Sequence, residues 1–476
     1  MLNWLPPIKK IGSGSKVRQV AGALQDGILS GAFPFGHNMP TTRELAARFG
    51  VDRSTVLAAL AELKSIGLVE TTIGSGTRVS AVRPTLVLAP PVEQALDLHA
   101  PETDGEGGGA VADFTVLHPD EALFPLRKMK AVLEATLEEE GERVMRYSDP
   151  MGYLPLRSWI ARRLGIGDDQ VLIVNGAQQG LSLLCRLLLT PGSKVLVESP
   201  TYAGLLPLLK MHQAEVVPIP VGRMGLDLST LALQTGAPFK FLYLQPTLHN
   251  PTGLTLDEEA RLRILKLLPR HQICVLEDTP DLLFGRQRSL FEMDPLKREI
   301  TLGSFSKLML PGFRVGWVAG PAHLIEACAR LKALSDLHAP PLLQAALFRF
   351  ISSPDYPVYV KQFILHARRK ETLVRRLMKT HLPRGTEAVL SPLSASLWLL
   401  LPAHLSSRTA AEAMLKEGLR VSPGDPFYPD PFAPPALRIV FSNAQEKDLD
   451  RLFKTLAGVL RQKPAPGRKA QYRIPL

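Results

Sequence analysis

The sequence predicts two bodies in one chain: a large α/β body with a mostly parallel central sheet, behind a small helical head that ends in a β-hairpin. Three observations predict it. From Asp113 onward, short apolar runs of strand type alternate with helix-type segments, the pattern of strands buried on both faces and joined by helical crossovers. Before residue 80, three helix-period stretches lead into two short strand-type runs around a Gly-Ser-Gly turn. Between the two bodies, Pro84, Pro90, Pro91, Pro101 and the run Gly105-Glu106-Gly107-Gly108-Gly109 leave neither period intact, as in a linker.

Length and charge agree with this division. A chain of 476 residues with 45% hydrophobic residues suits two or three domains. We expect a head at 13–81, an acidic linker at 82–112, a body at 113–463 and a basic tail at 464–476. Residues 1–83 carry ten Lys/Arg against five Asp/Glu, and residues 84–112 carry none against five. The last sixteen residues, from Arg461, add five basic groups and no acid. A basic head and tail around an acidic joint suit a polyanionic partner. Cys185, Cys274 and Cys328 are odd in number and widely spaced, which argues against a disulfide framework or a zinc site. No long apolar run follows Lys9 and Lys10, and none elsewhere is long enough for a bilayer. A cytoplasmic protein without a metal is the expectation.

In the head, Val17, Val20, Ala21, Leu24 and Ile28 share one helical face and Gly31 follows the end. Thr41 and Glu44 have capping-box spacing ahead of a short helix through Phe49. Gly50 and Val51 make a corner. Asp52 stands where a cap belongs for a third helix, with Val56, Leu57, Leu60 and Leu63 on its buried side. Two short helices joined by a Gly-containing corner read as a helix-turn-helix, and Leu68–Thr72 with Thr77–Val79 as a hairpin. The strings Met39-Pro-Thr-Thr-Arg-Glu-Leu-Ala, Val51-Asp-Arg-Ser-Thr-Val and Gly74-Ser-Gly-Thr resemble the GntR-type winged helix-turn-helix of bacterial regulators. The resemblance implies promoter DNA as partner, with Arg53, Ser54 and Thr55 entering the major groove. Arg43 then lies near phosphates, and Ser75, Gly76 and Thr77 of the wing near backbone or minor groove. Many members carry more basic residues where Leu57, Ala58 and Ala59 stand, so one module alone is expected to make modest base contact and to rely on dimerisation.

In the body, the strand-type runs are Val171–Val174, Lys194–Glu198, Phe241–Leu244, Ile273–Glu277, Thr301–Ser304 and Val315–Ala319. Polar signatures follow them, where active groups of a parallel sheet gather. Asn175-Gly-Ala-Gln-Gln-Gly opens a helix, whose free N–H groups suit an anion. Gly303-Ser304-Phe305-Ser306-Lys307 is followed by Pro311, Gly312 and Arg314. An amine there can form a Schiff base with an aldehyde cofactor, while two hydroxyls and a guanidinium fork hold a phosphate.

Ser-x-Ser-Lys with Arg seven residues on resembles the lysine segment of fold-type I, pyridoxal-phosphate-dependent aminotransferases, whose body ends in a small C-terminal α+β subdomain. Other segments resemble the family in the same order. The implied cofactor is pyridoxal 5'-phosphate, bound to Lys307. The implied phosphate contacts are Ala177, Gln178, Ser304, Ser306 and Arg314, with Tyr147 reaching the neighbouring subunit's phosphate. Tyr202 stacks on the pyridine ring, Asn250 bonds the phenolic oxygen, and Asp278, with Glu277 as second choice, faces the pyridine nitrogen. Arg438 grips the α-carboxylate of a substrate or effector. One departure stands out: the family tyrosine expected shortly after the aspartate is missing, since Thr279, Pro280 and Asp281 follow Asp278. That puts efficient turnover in doubt more than cofactor binding.

Head and body together resemble the MocR/PdxR subgroup of GntR regulators. The resemblance implies a cofactor-binding regulator that senses the cofactor or an amino acid or amine, assembled as a domain-swapped homodimer. The rival reading is a working aminotransferase with an accessory DNA-binding head.

Overall fold

The computed structural model describes residues 15–72, 76–80, 90–98, 112–222, 225–227, 239–267, 273–279, 288–307, 309–430 and 434–462. The chain divides into two compact units, Met1–Ala89 and Pro90–Leu476.

The head is built as its periods demand. Helix α1 (Lys16–Leu29) buries Val20, Ala21, Leu24 and Ile28. In α2 (Thr42–Phe49), the Thr41 hydroxyl accepts from the Glu44 N–H while the Glu44 carboxylate accepts from the Thr41 N–H, a complete capping box. Gly50 closes α2 in the left-handed region at φ 61°, a conformation that strains any residue with a Cβ. Helix α3 (Arg53–Ser65) presents Val56, Ala59, Leu60 and Leu63 to the core. Two details differ from expectation. Leu57 is 57% exposed, because it stands three residues before Leu60 on the rim of a narrow apolar stripe. Asp52 occupies the N-cap position of α3, but its side chain makes no capping bond. Strands β1 (Val69–Thr72) and β2 (Gly76–Val79) form the antiparallel wing.

A helix, α4 (Pro90–Leu98), forms inside the stretch expected to be linker. Two prolines at its first turn are compatible with a helix start, and its buried Ala95 belongs to the face it packs on the body.

The body's strands are β3 (Ala112–Asp113), β4 (Val171–Val174), β5 (Lys194–Ser199), β6 (Glu215–Gly222), β7 (Gly225–Leu226), β8 (Phe239–Leu244), β9 (Val275–Asp278), β10 (Ile300–Ser304) and β11 (Gly316–Ala319). Eight of them form one sheet in the order β4-β11-β10-β9-β8-β5-β6-β7. All run parallel except β11, which is antiparallel to both neighbours, and β7, which turns back on β6. Strand β6 is absent from the apolar runs read in the sequence, because Pro218 and Pro220 interrupt it. Two residues apart, they aim their missing donors at the same side, away from β5, as edge prolines do.

Helices cover both faces. Alternate residues of β4 divide between them: Val171 and Ile173 pack with α5 (Leu126–Val144), α6 (Leu154–Leu164) and helix Pro341–Ile351. Leu172 and Val174 pack with α7 (Ala177–Leu188), α8 (Leu206–Met211) and helix Ala322–Asp336. Helix α4 lies against α8. The C-terminal part has its own core around Val374, Leu397, Leu437, Leu452 and Phe453. Its strands are β12 (Ala388–Val389), β13 (Ser396–Leu400), β14 (Leu419–Arg420), β15 (Ser422–Pro423) and β16 (Ala436–Val440), with β12-β13-β16-β15 antiparallel. Strand β3 pairs with β14, and Phe114 is buried in this C-terminal core, so the body's first residues are tied to its last subdomain.

Candidate functional site

The carboxyl ends of β5, β8, β9 and β10 and the start of α7 surround a cleft of about 360 Å³. It gathers nine of the residues named from sequence: Ala177, Gln178, Tyr202, Asn250, Asp278, Ser304, Ser306, Lys307 and Arg314. These are spread over 138 positions of chain, and only the parallel crossovers bring them together.

One wall is an anion cradle. Gly176 precedes α7 at φ 80°, and a Cβ there would lie 2.7 Å from the Arg314 guanidinium. The glycine therefore lets the arginine close on the helix start. Arg314 reaches the Ser306 hydroxyl and the Asn175 carbonyl, both at 3.5 Å. Ser304 Oγ accepts from the Ser306 N–H at 3.1 Å. Behind the cradle, the Asp336 carboxylate accepts from Asn175 Nδ2 and Gln179 Nε2, each at 2.6 Å. Unpaired helix N–H groups, two hydroxyls and a guanidinium form a donor set for a phosphate.

The Lys307 ammonium lies 5.5 Å from the centre of the Tyr202 ring. Asp278 is buried, and its Oδ2 accepts from the Tyr243 hydroxyl at 2.7 Å and from Gln245 Nε2 at 2.8 Å. Burial and Asp278 together hold the Tyr243 hydroxyl well above the usual phenol range, so it remains a donor. Glu277, one residue earlier on β9, points the other way. It accepts from the N–H groups of Leu290 and Phe291 and lies 4.0 Å from Arg261, while burial pushes its carboxyl up to about 7. Strand alternation thus leaves Asp278 as the carboxylate of the cleft.

Asn250 is buried; its Oδ1 accepts from Arg438 at 3.0 Å, while its Nδ2 has no partner. A buried, orphaned amide facing a cleft is costly unless an acceptor arrives. Arg438 does not line the cleft. It is held behind Asn250, donating also to the Thr115 carbonyl at 2.6 Å, with its guanidinium over the Phe427 ring. Tyr147 is 87% exposed, outside the cleft, with its ring edge-on to His338. Of the segment where the missing tyrosine was sought, Thr279 is buried, and Pro280 and Asp281 lie outside the described residues.

Three residues of the site went unnoticed in the sequence: Gln245, Glu198 and His249. Gln245 ties the floor together. Its Nε2 donates to Asp278, its Oε1 accepts from the Asn250 N–H at 3.0 Å, and its own N–H donates to Glu198 at 2.7 Å. Burial pushes the Glu198 carboxyl up to about 8 and the His249 imidazole down to about 3. Burial thus favours the uncharged form of each, and the two groups lie 3.5 Å apart. A polar residue closing each of two apolar runs was the available signal, since the ends of parallel strands face the site.

In the head, Arg43, Arg53 and Ser54 are exposed and Thr55 half-buried, with the last three forming the first turn of α3. In the wing, Gly76 and Thr77 are described and Ser75 lies outside the described residues.

Fold and cleft define a class: a fold-type I body with a lysine and an anion cradle, carried behind a helix-turn-helix head. Residues 117–456 match the model of aminotransferase class I and II, and residues 16–79 that of bacterial regulatory proteins of the gntR family. The HTH-type transcriptional regulator TauR of Rhodobacter capsulatus is 30% identical over 444 residues, covering 88% of this chain and 90% of that protein. The 2-aminoadipate transaminase of Thermus thermophilus is 30% identical over 358 residues, covering 72% of this chain and 89% of the relative. Among solved structures, LysN, an alpha-aminoadipate aminotransferase from Thermus thermophilus complexed with N-(5'-phosphopyridoxyl)-L-leucine, superimposes with a TM-score of 0.70 at 27% identity, covering 78% of this chain and 95% of that one. The chain belongs to the aminotransferase class I and II family and, by its gntR head, to the MocR/PdxR subgroup of DNA-binding regulators.

Proposed function

We propose that this protein is a bacterial transcriptional regulator that holds pyridoxal 5'-phosphate in its body and uses that occupancy, together with an amino acid or amine effector, to control promoter binding by its head. The observation that carries the reading is the meeting of Lys307, Asp278 and the orphaned Asn250 amide in one cleft, in a chain with a gntR-family head. Bound there, the cofactor supplies an aldehyde carbon and an electron-withdrawing ring. The start of α7, with Ser304, Ser306 and Arg314, holds its phosphate. Tyr202 covers the ring face, Asp278 keeps a proton at the pyridine nitrogen, and Asn250 donates to the phenolic oxygen. Lys307 would be the amine that holds the aldehyde carbon. Arg438 receives an effector carboxylate by exchanging a present contact for it. Tyr147, exposed and outside its own cleft, suits a role at the cleft of a partner in a domain-swapped homodimer. The protein acts in the cytoplasm, where DNA is.

The departure after Asp278 favours sensing over turnover. Of the tyrosines at the cleft, Tyr202 is assigned to the ring face and the Tyr243 hydroxyl is engaged by Asp278. An effector regulates only by binding two states of the body unequally.

Two variants test the reading. Lys307→Ala is expected to abolish the visible absorbance of the bound cofactor in its lysine-linked form. Arg53→Ala is expected to keep that absorbance and weaken promoter binding by about 1–3 kcal/mol in a gel shift. Transamination at enzyme-like rates by a protein that ignores its own promoter would establish the rival enzymatic reading instead.

A further inference from the structure

The longest helix among the described residues, Asp355–His381, carries a charge that the cleft does not use. It holds seven Lys/Arg and two Asp/Glu, whereas the rest of residues 113–460 holds 34 Lys/Arg against 33 Asp/Glu. Nearly all the net positive charge of the body before its tail therefore sits on one helix. The contrast with α5, another long surface helix, is direct: its four basic residues are outnumbered by five glutamates, and Lys130 and Arg143 pair with Glu134 and Glu140 of the same helix, the usual pattern of a solvated face.

The charge is also lined up. Lys361 and Lys379 are eighteen residues apart, and eighteen residues make about five full turns at 3.6 residues each, so they project along one line. Arg368 falls within about 20° of that line, with Arg369 beside it. All four are exposed, and among the described residues none is paired with a carboxylate. Arg375 and Arg376 flank the line and are ion-paired to Glu371 and Glu446. The line from Lys361 to Lys379 is about 27 Å long, the rise of about eight base pairs of duplex.

We propose that this face of helix Asp355–His381 is a second DNA-contacting surface, gripping duplex phosphates independently of sequence while the head reads bases. The proposal rests on the regulator reading given above. Unpaired guanidinium and ammonium groups in a row, with Glu371 off the line and held by Arg375, fit the phosphate backbone, and their effect is the release of counterions. The surface contains no group of the cleft, so it is separable from cofactor binding.

The test uses the full-length, cofactor-loaded protein and a fluorescein-labelled 40-base-pair duplex of mixed sequence, titrated at several salt concentrations. Replacing Lys361, Arg368, Arg369 and Lys379 with alanine is expected to weaken binding about ten-fold or more near 0.15 M salt and to reduce the salt slope by about two to four. The charge-keeping variant Lys361→Arg with Lys379→Arg should bind as the parent does, and the cofactor absorbance of every variant should be unchanged, which reports an intact body. An unaltered slope in the alanine variant overturns the proposal. Tighter binding by that variant also overturns it, because the face then serves an acidic segment of the protein instead of DNA. If the unaltered protein binds neither this duplex nor its own promoter, the regulator reading itself fails, a result distinct from either.

Discussion

Glu198 shows how much a single buried carboxyl contributes. Burial raises it from an ordinary value of 4.5 to about 8, so the folded chain keeps a proton that the unfolded chain releases between those values. The stabilisation is complete below pH 4.5 and is lost as pH rises through 8. Glu277, pushed up to about 7, and Glu299, pushed up to about 8, act in the same direction. The melting temperature of the body is therefore expected to fall as pH rises from 4.5 to about 8 and to level off above. Glu198→Gln, which keeps the shape and cannot ionise, should flatten part of that fall in thermal melts followed across the pH range. A variant with the parent's pH slope would show that Glu198 does not carry a proton in the folded state. The same residue explains the rigidity of the floor. Through Gln245, the groups of Glu198, Asp278 and Asn250 are joined into one hydrogen-bonded unit.

At the scale of elements, the head illustrates why a helix is more than its apolar positions. The capping box at Thr41 satisfies donors that the first turn of α2 leaves open. Thr41→Ala is expected to cost the head about 1 kcal/mol. Leu57→Ala on α3 should change stability by less than about 0.5 kcal/mol, since it removes surface already in water. Leu60→Ala, three residues on and buried, should cost about 2–5 kcal/mol. Urea unfolding followed by circular dichroism separates the three, and equal losses for Leu57 and Leu60 would contradict the packing described. The strand–helix junction before α7 is a second such element. Gly176 there answers to the close approach of Arg314 and to a positive φ, which ties one backbone position to the anion cradle.

For the whole molecule, the cores are separate. The head's cluster runs from Val17 to Val79, and none of its members belongs to the clusters of the body. Calorimetry is expected to show two transitions. Excess pyridoxal 5'-phosphate should raise only the one belonging to the body, by about 2.7 kcal/mol of stability at a hundred times the dissociation constant. A single transition that moves as one with the cofactor would show that the two units unfold together. A regulator needs its units linked in function, and such linkage is compatible with cores that melt apart.

The sequence by itself determined the two-body plan, most of the strands of the parallel sheet, the capping box and the nine cleft residues. The plan, the strands and the capping box rest on local signals, a period or a spacing, and the nine cleft residues on the resemblance of short motifs to the aminotransferase family. It also carried the regulator family, through motifs at both ends of the chain. The tertiary structure alone decided which of Glu277 and Asp278 faces the cleft, because that depends on which side of the sheet β9 turns outward. It decided that Gln245, Glu198 and His249 belong to the site, that Arg438 stands behind Asn250, and that Leu57 is exposed. The reason is physical: groups 47 or 188 positions apart in sequence become hydrogen-bond neighbours only through crossovers that no local window contains.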